Sequence, residues 1–97
     1  MTKEERDLVP KSVKVLGKTV KIICKPMDTN LGSYDRDERI IYLDSEQSAE
    51  GALSTLTHEF LHAILAIGGF AFSLKRKQEE SLVRLLESGL EGFVKFK

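Results

Sequence analysis

From Leu53 to Ile67 apolar residues recur at helical spacing, at Leu53, Leu56, Phe60, Leu61, Ile64, Leu65 and Ile67, and Gly68-Gly69 closes the run. No other stretch constrains the fold as strongly. Asp44 or Ser45 offers a capping oxygen at its start, with Ser48 as a later alternative, and Glu46, Gln47 and Glu50 supply first-turn acids or amides. The result is a helix of about 20 residues, roughly 30 Å long. In a chain of 97 residues such a helix crosses the whole domain. It also carries both histidines of the protein, in His58-Glu59-Phe60-Leu61-His62.

A chain of this length builds one modest core, so any site must share that core with the fold. Residues 1–11 are polar and read as a flexible lead-in, or at most a short helical turn, ending near Pro10, and residues 12–97 form the single domain. Val13–Leu16 and Thr19–Lys25 are β-branched runs with Gly17-Lys18 between them in the position of a hairpin turn. Leu31–Asp35 and Arg39–Leu43, separated by Arg36-Asp37-Glu38, make a second hairpin whose last strand runs into the long helix. Past the glycines, Leu82, Val83, Leu86, Leu90, Phe93 and Val94 form the apolar stripe of another helix, and Gly89 marks close packing. Lys75, Arg76 and Lys77 are badly placed for a helix N-terminus, which puts the regular start nearer Gln78. Ser73 is a candidate cap, and Phe70 and Phe72 read as core. Strands first and helices second predict an α+β fold, a small antiparallel sheet of two hairpins followed by two packed helices.

The formal charge is zero, with 15 basic and 15 acidic side chains. That balance argues against nucleic acid or a membrane surface as the main partner. The N-terminal segment has mixed charge and no apolar run, so no secretory leader is expected, and no stretch approaches the ~18 apolar residues of a membrane span. Cys24 is the single cysteine, which excludes an internal disulfide and reads as a small strand residue in the core. These features together predict a reducing, cytoplasmic setting.

His58 and His62 are four residues apart and so share a helix face, where their imidazoles can converge on one ion. Glu59 is turned about 100° from His58 and about 60° from His62, near enough to reach a water on that ion without ligating it. A hydrolytic zinc site takes three protein ligands. With no further histidine, the third falls to a carboxylate, and Glu79-Glu80 opens the second helix. Helical phase aligns Glu79 with Leu82, Val83 and Leu86 and favours it as a buried, charge-paired group. A place on the rim of an open cleft favours Glu80.

The stretch Thr57-His-Glu-Phe-Leu-His-Ala63, preceded by Asp35 and Arg39-Ile-Ile-Tyr-Leu43 and followed by Glu80-Ser-Leu-Val83-Arg-Leu-Leu86, resembles the small zinc metallopeptidases encoded by bacteriophages and prophages. These are minimal members of the gluzincin group, distantly similar to the peptidases that cleave phage repressors. The resemblance spans roughly residues 12–95, and its specific part is H-E-x-x-H. It implies a zincin-like core in a bacterial host cytoplasm, with His58 and His62 as zinc ligands and Glu59 as general base. The third ligand then falls three residues before Val83, at Glu80, with Glu79 as the alternative. Larger members of the family add a tyrosine or histidine that supports the oxyanion. Tyr34 and Tyr42 are the candidates here, although tyrosine is favoured in strands for packing alone.

Two functions follow as expectations. One is a zinc-dependent hydrolase, a metallopeptidase acting on a peptide or protein that lies as an added strand beside Arg39–Leu43. The other is a non-catalytic, zinc-containing binding or regulatory module of phage or prophage origin. Glu59 separates them, because a structural zinc site has no need of it.

Overall fold

Alternation in the first strands sets the architecture. Val15, Val20 and Ile22 turn to one face and are buried, while Lys14, Lys21 and Ile23 turn to the other and are exposed. The structure, a computed structural model describing residues 1–69 and 75–90, runs α1 (Lys3–Leu8), β1 (Ser12–Val15), β2 (Lys18–Lys25), β3 (Gly32–Asp35), β4 (Ile40–Asp44), α2 (Ala49–Ile67) and α3 (Arg76–Leu90). Within the lead-in, Thr2 and Glu5 form a reciprocal capping box that starts α1.

The β1–β2 turn is Leu16-Gly17, one residue earlier than the sequence suggests. Both residues have positive φ, 49° and 81°, as the favoured two-residue hairpin turn requires, and Val15 then pairs with Lys18. The turn places Leu16 rather than Lys18 in the left-handed region.

Both expected hairpins form and the fold is α+β, but the sheet is mixed rather than antiparallel. Its order is β1-β2-β4-β3, with β2 and β4 parallel and Ile22 opposite Ile41. Alternation within a strand reports which face is buried and not the direction of its neighbour. Parallel pairing brings Val20 and Ile22 together with Ile41 and Leu43 on the face that α2 covers, adjoining Val15 and Ala63. Cys24 packs at the edge of this core.

Ser48 caps α2, accepting from the Gly51 amide at 3.0 Å. Asp44 has a different task. Its Oδ1 accepts the amides of Met27 and Glu46, both at 3.2 Å, and closes the loop ahead of the helix. The N-terminal ammonium donates to the Ser45 and Gln47 carbonyls. At the far end Gly68 is the C-cap and Gly69 takes φ 87°.

The helix after the glycines, α3, begins at Arg76, two residues ahead of the expected start. Gln78 Oε1 accepts the Lys75 amide at 2.9 Å, satisfying a free donor at a helix end otherwise crowded with cations. This helix packs on α2 through Val83 against Leu61 and Leu65, with Leu82 and Leu90 at the margin. Two expectations for the stripe are corrected. Leu86 is 39% exposed, and a Cβ at Gly89 would meet nothing, so Gly89 marks no close packing among the described residues. Phe70, Phe72, Ser73, Phe93 and Val94 lie outside the described residues.

Candidate metal centre

The 3.6-residue period of α2 lays His58 and His62 one above the other, with ring centroids 4.9 Å apart and Nε2 atoms 3.3 Å apart. Both side chains are mostly buried, at 22% and 18% exposure. Across the helix interface, Glu80 places Oε1 3.0 Å from His58 Nε2 and Oε2 3.1 Å from His62 Nε2. One ligand atom from each of these three residues falls within 4.8 Å of the others. Arg84, one turn along α3, is 3.6 Å from Glu80 and exposed.

Glu79 also reaches the cluster, but at the opposite side of a ring. Its Oε1 is 2.9 Å from His62 Nδ1. It is the more buried of the two glutamates, 15% exposed against 38% for Glu80, which is the environment its helical phase implied. Glu87, which sequence reasoning gave no role, sits 3.1 Å from His58 Nδ1. Its seven-residue spacing from Glu80 was the available signal, since residues seven apart share a helix face.

The donor set fits a cation. A neutral imidazole has one N–H and one lone pair, and a carboxylate only accepts. With the proton of each ring on Nδ1, toward Glu79 or Glu87, the Nε2 lone pairs and the Glu80 oxygens would form a group of acceptors pointed at one another. A metal ion satisfies such a group directly.

Glu59 makes none of these ligand contacts; it lines the same cleft as the two histidines and Glu80, between them and Gly32 of β3, and is buried. Burial pushes its carboxyl above the usual range, opposed by His62 and His58 and reinforced by Glu80 and Glu87. Beside it, at Gly32, α2 comes close to β3. A Cβ there would overlap Thr55 Cγ2 and lie 2.9 Å from the Tyr42 carbonyl oxygen and 3.5 Å from Glu59 Cγ. Glycine in a strand signals such close approach of another element. Gln47 holds the same corner: its Nε2 donates to the Leu31 and Asp44 carbonyls and its Oε1 accepts from Thr55.

No family model matches the chain, and neither a curated protein nor a solved structure matches it. The geometry therefore carries the functional reading.

Beside the cluster opens a cleft of about 600 Å³, walled by Asn30, Ser33, Tyr34 and Arg36 on one side and by His58, Glu59, His62 and Glu80 on the other. The strand bordering it is β3, the edge of the sheet. Arg39–Leu43, expected to flank a bound peptide, lies mostly in β4, which is paired on both sides. Tyr42 is on the opposite face of the sheet with the Lys25 ammonium 4.4 Å from its ring centre, and it does not line the cleft. Tyr34 does, and its buried hydroxyl has no hydrogen-bond partner among the described residues. Burial raises its pKa. Arg76, in the basic run 75–77, also lines the cleft. No helix among the described residues is long and apolar enough to cross a membrane.

Proposed function

We propose that this chain is a zinc-dependent hydrolase, a metallopeptidase in which His58, His62 and Glu80 hold the ion and Glu59 is the general base. The supporting observation is the convergence of both Nε2 atoms on the Glu80 carboxylate, beside a buried carboxylate, Glu59, that makes none of these contacts. Zinc, when bound to such a set, lowers the pKa of a water toward ~7 and polarises a carbonyl.

The chain's own residues carry the proton. Glu59, with its basicity raised by burial, takes a proton from the attacking water and returns it to the amine nitrogen as the amide C–N bond breaks. Substrate lies along β3, whose outer edge has no strand partner among the described residues and offers its backbone groups to an extended segment. That geometry favours an unfolded stretch of peptide over a folded surface.

The test pairs zinc content with cleavage of peptide-library and unfolded-protein substrates. Wild type is expected to hold about one zinc per chain, and His58→Ala with His62→Ala to hold none. Stoichiometric zinc in the double variant would refute the ligand assignment. Glu59→Gln should keep the zinc and lose cleavage by ~10²-fold or more. A Glu59→Gln variant that cuts as fast as wild type transfers the reading to a zinc-containing binding module.

A further inference from the structure

Three carboxylates of α3 meet the two imidazoles of α2, and the metal reading uses one of them. The other two contacts are specific in their pairing. Glu79 Oε1 lies 2.9 Å from His62 Nδ1, and Glu87 Oε2 lies 3.1 Å from His58 Nδ1. The order is reversed along the two helices, the earlier glutamate meeting the later histidine, as antiparallel packing requires. Eight residues separate the glutamates, roughly 12 Å of helix, against roughly 6 Å between the histidines. The two pairs therefore approach the rings from opposite ends of the cluster, and Glu80 enters between them.

We propose that Glu79 and Glu87 are positioning residues, each fixing one imidazole as the Nδ1–H tautomer so that both Nε2 lone pairs turn toward the point that Glu80 faces. The inference rests on the metal reading above for its purpose but not for its geometry. A carboxylate has no proton to donate. Glu80 also lies within hydrogen-bond distance of both Nε2 atoms, at 3.0 and 3.1 Å, but it is one carboxylate shared between two rings and Arg84. Each Nδ1 has a carboxylate to itself, which favours the proton on the Nδ1 side and leaves the lone pair on the other. Partners of this kind orient ligating histidines and raise their basicity, and their loss typically weakens metal affinity 10–100-fold. In this chain both come from the helix that supplies the third ligand. The seating of α3, through a small apolar seam at Leu61, Leu65 and Val83, thus sets inner and outer partners in one step.

The experiment compares wild type with Glu79→Ala, Glu87→Ala and the milder Glu87→Gln. Long-range proton–nitrogen NMR of the metal-free protein, at a pH where the rings are neutral, reads which nitrogen carries the proton. Zinc competition against a chromogenic chelator reads affinity. Wild type should show both rings as Nδ1–H. Glu87→Ala should release His58 alone to the Nε2–H form, and Glu79→Ala His62 alone, each with a ~10–100-fold loss of zinc affinity. Glu87→Gln keeps an acceptor and should fall between wild type and Glu87→Ala. A general loosening of α3 would move both rings together, so that result overturns the proposal, as does a wild type with Nε2–H rings. Zinc binding in wild type with unchanged affinity in both alanine variants also overturns it. A wild type that binds no zinc refutes the metal reading, and the tautomer measurement then still decides this one.

Discussion

Gly32→Ala tests how α2 is seated against the strand that borders the cleft. The added Cβ would overlap Thr55 Cγ2 and stand 2.9 Å from the Tyr42 carbonyl oxygen. That carbonyl belongs to β4, which is held on both sides, so the strain is relieved by lifting α2. Overpacking of this kind costs about 1–3 kcal/mol. Replacing glycine also restricts the unfolded chain, which returns about 0.4–1 kcal/mol. The net destabilisation is then about 1–2 kcal/mol, or a fall in Tm of roughly 5–15 °C for a domain of this size. Thr55→Ser removes the methyl that the new Cβ meets and keeps the hydroxyl that donates to Gln47. A double-mutant cycle should therefore give a favourable coupling of about 0.5 kcal/mol or more. Thermal unfolding of the four proteins is the assay. A Gly32→Ala variant that unfolds at or above the wild-type temperature would refute the close-approach argument.

Zinc affinity should fall far more in Glu80→Gln than in Glu79→Gln, because only Glu80 faces both Nε2 atoms; a reversed ranking in a chelator titration would make Glu79 the inner ligand. In metal-free protein Glu59→Gln should raise Tm at neutral pH. A carboxyl whose folded pKa lies above its unfolded one makes the chain lose stability as pH rises through that interval, so the gain should vanish in a melt run below the ordinary glutamate pKa. Tyr34→Phe removes a buried hydroxyl without a partner among the described residues and should stabilise the free protein by about 1 kcal/mol. Unfolding at lower denaturant would mean that this hydroxyl is satisfied in solution.

Local periodicity was enough to place most of the fold. The 3.6-residue spacing from Leu53 to Ile67 defines α2 and sets His58 and His62 on one face, and the period of two in Val13–Lys25 separates buried from exposed strand residues. Turns were legible to within a residue, and the Leu16-Gly17 shift turns on which residue takes positive φ. What the chain could not declare locally is how separate elements dock. The alternation of Val20 and Ile22 is the same whether β4 runs parallel or antiparallel beside them. The choice between Glu79 and Glu80 likewise depended on the approach of α3 to α2, because neighbours on a helix diverge by about 100° and one docking angle decides which is nearer. The fold brings both glutamates to the histidines. An imidazole has two nitrogens on opposite sides of its ring, so the buried Glu79 meets Nδ1 of His62 while Glu80, at the cleft, meets Nε2 of both rings. Glu87 and Gly32 left only a weak local trace, a seven-residue spacing from Glu80 and a glycine inside a strand, because each acquires its role from a residue of another element, His58 or Thr55.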